Sequence, residues 1–526
     1  MARGGFKVVL TADRTLMSDY GGGLFLGFLT TAPRRGFPLF HPFIVFNFLA
    51  RPVPADKDGR ALLAPHGLRR IEAALIASGH FSEGEVAVVP PDKLESAIGP
   101  GTRVIGVSAF DPLGLGPSSS TLAGPYGAIH EEPMSAWAFR RLVGSRAIQR
   151  AREGGAKLVV GGPGAWQIRE EDAAKLGIDV VVVGEGELVA PKLFKELSEG
   201  GFKGPLIIEV PPSMAPGEGE VPRLRGATVG GLVEVSRGCG RGCAFCLPTL
   251  RRLRHRPLND IIEDVRVNVR VRRRGVCLHA EDVLRYGAGA LSIEPDRVLG
   301  LFKAVREEGV REVGVSHASL SSIASSPSLV EEISKMLGLT RRSWMGFQTG
   351  IETGSPRLME RLMRMKPYPY RPVDWPEVVE EAFATCADNN WVPCATLIVN
   401  LPGEQAEDVE ATIELVKRLR PYKSLMVPLL YVPPPGSKHK PMRLIEDATP
   451  LHLELYRLVL GHDLKWLIEL VDDYVRCLNP VAAIIIKRIA RLLKGYIERK
   501  LASLTEGGLA AAVRGVPQRA LSSAPS

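Results

Sequence analysis

A chain of 526 residues is longer than one hydrophobic core organises, and 45% hydrophobic with 24% charged residues excludes a disordered or fibrous protein. The 67 basic and 58 acidic residues leave a net charge of +9, too mild an excess to name an anionic partner, and no nucleic acid is expected. Three of seven cysteines crowd into eight residues, while Cys277, Cys386, Cys394 and Cys477 show no pairing pattern; a disulfide scaffold is excluded and a cytoplasmic, reducing compartment is expected.

The first apolar run, 6–11, is cut short by Asp13 and Arg14, so it reads as a strand and not as a secretory signal. The most apolar stretch, 37–50, is interrupted by Pro38, His41, Pro42 and Asn47 and falls short of the roughly 18 apolar residues of a spanning helix. With the Gly-rich residues before it, 21–50 reads as core or as the lining of a channel for a long chain. Strands are expected at 7–11, 85–89, 104–108, 157–161 and 179–184, with helices such as 68–78 and 136–153 between them. Apolar strands alternating with helices predict a doubly wound, Rossmann-like parallel sheet over 1–200, whose ligands bind outside the strand carboxyl ends.

Residues 201–230, rich in Pro and Gly, read as a linker or loose hairpin. Six further βα steps have strands at 232–236, 276–279, 312–316, 345–352, 393–400 and 425–430. They predict a partial (β/α)6 TIM-like barrel over 231–440 with its chemistry at the strand carboxyl ends. A helical C-terminal extension is expected over 441–505 and a disordered tail over 506–526. In the extension Ile485, Ile489, Leu492, Leu493, Tyr496 and Ile497 share a helical face, and Lys487, Arg488, Arg491, Lys494, Arg499 and Lys500 crowd the rest. Such a helix either packs on the barrel with a solvated basic face or lies peripherally at the inner face of an anionic membrane. Scarce Asn and Gln, seven and five residues, beside abundant Arg, Glu and Pro match a composition associated with thermophiles.

Directly after the first barrel strand, VSRGCGRGCAFC places Cys239, Cys243 and Cys246 in C-x3-C-x2-C spacing within a Gly-rich loop able to wrap a cluster. Three thiolates leave a fourth metal corner open. Structural zinc uses four N/S ligands in paired C-x2-C spacing, and a closed four-cysteine cluster needs another nearby cysteine. A [4Fe-4S] cluster with one open iron fits this set best; a zinc loop and unliganded cysteines are the alternatives.

This spacing, with Phe245 before the last cysteine, resembles the radical S-adenosylmethionine (SAM) superfamily. The resemblance implies that SAM chelates the open iron and that one electron, from a ferredoxin- or flavodoxin-type donor, splits it into methionine and a 5'-deoxyadenosyl radical that removes hydrogen from unactivated carbon. It also implies SAM-binding roles. Glu281 and Asp282, in HAED at the second strand end, are candidates for the amino group, and His317 ends the third strand. Glu352, in GIETGS, would accept from the ribose, and Asn400, in NLPGE, would lie beside the adenine. Phe245 would pack on the cluster loop or the adenine. Each of these residues also has a plain reading as cap, turn, ion pair or core.

The N-terminal pattern resembles the cobalamin-binding domain of a radical SAM subgroup: Gly161, Gly162 and the following Pro163-Gly164 match its GGP turn, and Gly184-Glu185-Gly186-Glu187 its GEGE turn, with Ser108 nearby at a strand end. Where many such domains carry D-x-H-x-x-G, this chain has Asp111-Pro112-Leu113-Gly114-Leu115-Gly116; Leu113 cannot ligate cobalt, so cobalamin would lack that lower histidine, or the domain is a scaffold without it. The segments TADRTLMS (11–18), PHGLRRIE (65–72) and HAEDVLRYG (279–287) resemble an archaeal family that includes the ring synthases of glycerol dialkyl glycerol tetraether (GDGT) membrane lipids. That resemblance implies hydrogen abstraction from a lipid methylene and closure of a cyclopentane ring. The alternative activity is cobalamin-dependent methyl transfer to a peptide, nucleic acid or small molecule. A third reading, of a different class, is a non-catalytic cluster-bearing binding protein.

Overall fold

The computed structural model describes residues 4–20, 30–35, 41–204, 206–246, 252–271, 275–433 and 437–475, with scattered positions between 483 and 499. Val8–Ala12 (β1), Val86–Val88 (β2), Val104–Ser108 (β3), Lys157–Gly161 (β4), Val180–Val183 (β5) and Ile207–Glu209 (β6) form one parallel sheet in the order β2-β1-β3-β4-β5-β6. Its strands are apolar on both faces because both are covered: Val8, Leu10 and Val104 enter one core, Val9, Ile105 and Val107 the other, alternating with the pleat. The helix His66–Ala77 (α1) follows β1. Strand order reverses between β1 and β3, the kind of switch point at which open α/β sheets hold ligands.

The stretch expected as a linker is not one throughout. Its Ile207–Glu209 completes the sheet beside β5, and Ala227–Thr228 pairs in parallel with Leu63–Ala64 of the N-terminal unit. Strands of two or three residues are too short to show a period, which is why the composition alone suggests a tether.

Leu232–Glu234 (β7), Gly275–His279 (β8) and Glu312–Val315 (β9) form one three-stranded parallel sheet; Met345–Glu352 (β10), Trp391–Val399 (β11) and Leu425–Leu430 (β12) form another. The sheets meet at a bridge between His317 and Gln348, where Gln348 N donates to Ser316 O at 2.8 Å and Ala318 N to Gln348 O at 3.2 Å. Among the described residues no ladder joins β7 to β12. The expected partial barrel is therefore an arc of two half-sheets, sharing one core through Val233, Leu278, Phe347 and Leu397.

Pro117–Leu122 (α2) reaches from the N-terminal unit to this arc, where Leu430 N donates to Thr121 Oγ1 at 2.8 Å. Pro450–Tyr474 (α3), capped by Thr449, returns onto the arc: Leu455 and Val459 enter its core, and Leu470 packs with Val392 and Leu425. Of the basic amphipathic stretch, Ile485, Ile489, Leu493, Tyr496, Ile497 and Lys500 lie outside the described residues, as do Cys477 and 501–526. Leu492 is exposed, while Lys487 pairs with Asp472 at 2.9 Å and Lys494 with Glu498 at 3.8 Å, which spends two of its cations locally. Among the described residues no helix is long and apolar enough to cross a membrane.

Candidate functional site

The cysteine loop leaves β7 through Gly238, Gly240 and Gly242, with φ of +73°, +72° and +69°. These left-handed positions alternate with Cys239, Arg241 and Cys243, and the turn needs residues without Cβ. Cys246 N closes it onto Cys243 O at 3.0 Å. Burial, and then the neighbouring thiols of Cys239 and Cys243, push the Cys246 thiol up to about 12, and burial raises Cys243 as well. A bound cation reverses that direction, since thiolates are what it coordinates. Among the described residues no three His, Cys, Asp or Glu side chains form a ready-made metal cage. An all-thiolate set of three fits a cluster with one open corner.

Arginines grip this loop. Arg241, 5% exposed between two of the cysteines, donates to Asp282 Oδ2 at 2.8 Å and to Ser322 Oγ at 3.0 Å; Arg285 donates to the carbonyl of Cys239. Asp282 also accepts from Ser319 N at 3.1 Å and Ser322 Oγ at 2.7 Å. Asp282 thus ties the cysteine loop to the start of the helix that follows β9. Glu281 beside it behaves differently. Burial raises its pKa, its Oε2 is buried without a partner among the described residues, and it lies within electrostatic reach of Cys246.

His317 stands at the seam between β9 and β10, edge-on to His279 with ring centroids 6.0 Å apart, and both Nδ1 atoms share Ser316 Oγ at 3.0 and 2.9 Å. Burial and then His279 lower its pKa to about 4, so it is neutral at pH 7. Glu352, buried with φ +64°, accepts from Lys366 Nζ at 2.9 Å and from Thr396 Oγ1 at 3.1 Å. It folds back over Gly350, where a Cβ would stand 1.8 Å from Glu352 Oε1. Burial opposes the charge on Lys366, yet Glu352 and the thiols of Cys243 and Cys239 raise its pKa overall, which places an ammonium beside the cysteine loop. Asn400 has φ +66°, and its side-chain amide donates to Lys440 O at 3.4 Å. Phe245 is partly buried against the arc's core.

Lys366, Arg237 and Arg241 escaped the sequence reading. The arginines alternate with the cysteines in RGCGRGC, a local signal; the pairing of Lys366 with Glu352 carries none.

At the N-terminal sheet the glycine turns close on the chain itself. A Cβ at Gly162 (φ +97°) would meet Ser108 Oγ and Ala109 O at 2.8 Å, and one at Gly184 (φ +116°) would meet Val210 O at 2.7 Å. These glycines are required without any ligand, and Ser108 faces Gly162. Gly161 has only ordinary neighbours and Gly186 a close one, Ile71 Cδ1 at 3.3 Å. The DPLGLG loop is likewise tied internally: Asp111 accepts from Gly116 N at 2.8 Å, Ser135 Oγ at 3.0 Å and Gln167 Nε2 at 2.8 Å, and Gln167 accepts from Leu113 N at 3.0 Å. The GEGE carboxylates instead reach across to the barrel. Arg237 pairs with Glu185 and Glu187 at 2.5 Å each, and Arg254 with Glu185 at 2.5 Å. The carboxyl end of β5 therefore faces the carboxyl end of β7.

Residues 233–416 match the sequence profile of the Radical SAM superfamily. An uncharacterized protein of Methanopyrus kandleri is 30% identical over 190 residues, 35% of this chain and 34% of that protein. The ribosomal protein uS12 methylthiotransferase RimO of Leptospira biflexa is 26% identical over 213 residues, 39% of this chain and 42% of that one. The chain thus spans well under two thirds of these curated relatives. The cobalamin- and [4Fe-4S]-bound structure of the radical S-adenosylmethionine methyltransferase TsrM from Kitasatospora setae superposes with a TM-score of 0.51 at 14% identity, over 81% of this chain and 72% of that one. With the cysteine loop at the end of β7, these matches identify residues 233–416 as a radical SAM superfamily domain, a unit that implies a [4Fe-4S] cluster and SAM.

Proposed function

We propose that the protein is a radical SAM methyltransferase that holds cobalamin between its two units and acts on a peptide, nucleic acid or small molecule. The observation that carries this reading is the pairing of Arg237 with Glu185 and Glu187, which turns the ligand-binding edge of the N-terminal sheet toward the cysteine loop. The fold likeness to a cobalamin-holding methyltransferase and the methylthiotransferase name of the Leptospira relative support it. For the same reason methyl transfer is preferred to ring closure on a tetraether lipid.

Cys239, Cys243 and Cys246 would hold the cluster, which supplies, when bound, the electron that cleaves SAM. The chain's own residues supply the cradle. The free buried Oε2 of Glu281 suits an amino group, and the Lys366 ammonium suits a carboxylate. Glu352 and Asn400, at adjacent strand ends, suit the nucleoside. The Arg241–Asp282 pair keeps the loop in place, and Phe245 walls its base with apolar surface. On the facing edge Phe110, 53% exposed after β3, and Leu188, 46% exposed after the GEGE turn, offer apolar contact to a flat corrin, a carrier of methyl groups when bound. Leu113 gives the cobalt no ligand.

Anaerobic purification, reconstitution with iron, sulfide and hydroxocobalamin, and turnover with methyl-labelled SAM test the reading. About four irons, bound cobalt and label in the acceptor are expected. A four-iron protein that takes up no cobalt and yields unlabelled cyclised lipid with 5'-deoxyadenosine would instead establish ring closure.

A further inference from the structure

Arg237 stands two residues before Cys239 and is 16% exposed in its side chain. Its guanidinium is surrounded by three carboxylates from two units. Nε donates to Glu234 Oε1 at 2.6 Å within the barrel, while Nη1 and Nη2 donate to Glu185 and Glu187 of the N-terminal unit. The fork is backed by a second row: Arg254 clasps Glu185 with both terminal nitrogens, at 2.5 and 3.0 Å, and donates to Pro216 O at 2.8 Å. Arg70, from α1, donates to Asp264 at 2.6 Å with its Nε 3.6 Å from Glu234, and Arg256 donates to the same Asp264 at 3.2 Å. Planar forks matched to carboxylates fix orientation as well as distance, which a lysine cannot do.

We propose that Arg237 is a positioning residue that sets the shape of the cysteine loop from outside the barrel, with Glu185 and Glu187 of the N-terminal unit as its fixed points. The reasoning is mechanical. Gly238, Gly240 and Gly242 leave the loop with little stiffness of its own. A loop of that kind takes its conformation from what holds its ends and its middle. Arg241 fixes the middle through Asp282, and Arg237 fixes the entry through a unit whose sequence is far away. The N-terminal unit then contributes to cluster geometry whatever ligand it holds. The inference rests on the cluster reading but not on cobalamin.

The test compares wild type, the double variant Glu185→Gln/Glu187→Gln, Arg237→Lys, and Arg266→Gln, which breaks the exposed pair of Arg266 with Glu308 as a control. Hydrogen exchange of the 238–246 amides is followed in the cluster-free protein, and the electron paramagnetic resonance spectrum of the reduced cluster is recorded with and without SAM. Exchange in 238–246 is expected to rise at least tenfold in the double variant and in Arg237→Lys, with helix 375–388 unchanged and the SAM-induced spectral shift broadened or lost. Arg266→Gln should match wild type in both. If the double variant does not fold, Arg237→Lys, which keeps the charge and loses the fork, is judged on the same two readouts. Wild-type exchange and spectra in the folded variants overturn the proposal. A wild-type protein that assembles no four-iron cluster overturns the radical SAM reading instead, and the two failures are thereby distinguishable.

Discussion

Glu352 and Asn400 close neighbouring strands, β10 and β11, with φ of +64° and +66°. A side chain in the left-handed region costs on the order of 1–3 kcal/mol unless it is Asn or Gly, which suffer least. Retaining Glu there makes sense when its carboxylate is needed at that spot. For Asn400 the two roles separate cleanly: Asn400→Gly should leave stability equal or raise it by up to about 1 kcal/mol in denaturant unfolding, while equilibrium binding of SAM weakens. A stability loss without a binding loss would assign the amide to the turn alone. For the thiols, Cys239→Ala, Cys243→Ala and Cys246→Ala should each abolish SAM cleavage and cluster absorbance. Cys277→Ala, Cys386→Ala and Cys394→Ala should retain both at a cost of about 1 kcal/mol, since the latter two are buried in packed surroundings and all three stand outside the cysteine loop. At this scale the chemistry written in local spacing was legible. C-x3-C-x2-C needs no tertiary context to be read. That Asp282 and not Glu281 takes the guanidinium depends on Arg241, 41 residues upstream, and no period or motif reports that.

Among the elements, α3 carries a group whose ionisation opposes folding. Asp463 accepts from Met426 N of β12 at 2.9 Å, and burial raises its carboxyl to about 8 against that bond. From the ordinary value of 3.8 up to about 8 the unfolded chain releases a proton that the folded chain keeps. This group's contribution is therefore full below pH 4 and lost progressively as pH rises to about 8. Asp463→Asn keeps the acceptor and removes the ionisation. It should stabilise the protein by roughly 1–2 kcal/mol at pH 8 and by little at pH 4, the side chain's partial contact with water limiting the gain. Urea unfolding of both proteins at the two pH values measures the difference; equal gains at both would refute the linkage. A strand such as β11 was legible because burial on both faces leaves a nearly unbroken apolar run, WVPCATLIV, whereas β10 shows itself by alternation, burying every second residue from Met345 to Ile351. The parting of the arc at β9 and β10 was not, because pairing between strands is set by geometry at the seam and not by the composition of either strand.

For the whole molecule, buried ion pairs join the two units at this edge. Arg70 and Asp264 are 1% and 0% exposed in their side chains, so the pair is poorly screened by salt, and losing one partner strands the other. Arg70→Ala should cost about 3 kcal/mol, Arg256 at 3.2 Å from Asp264 sparing part of a larger loss, and should split a single calorimetric transition into two. A single transition at unchanged temperature would show that the interface draws its strength elsewhere.

The passage from one unit to the other has a practical consequence. Because 207–209 is the outermost strand of the first sheet and 227–228 lies against 63–64, the chain enters its barrel from a strand ladder and not from a tether. Anyone wishing to transplant this barrel onto a foreign domain, or to borrow the N-terminal unit as a stand-alone ligand carrier, cannot cut at the Pro-rich stretch as its composition invites. The graft boundary has to fall after residue 228 on one side, and the recipient has to supply carboxylates for Arg237 and Arg254 on the other. Modularity here is limited to exchanges that bring their own joint.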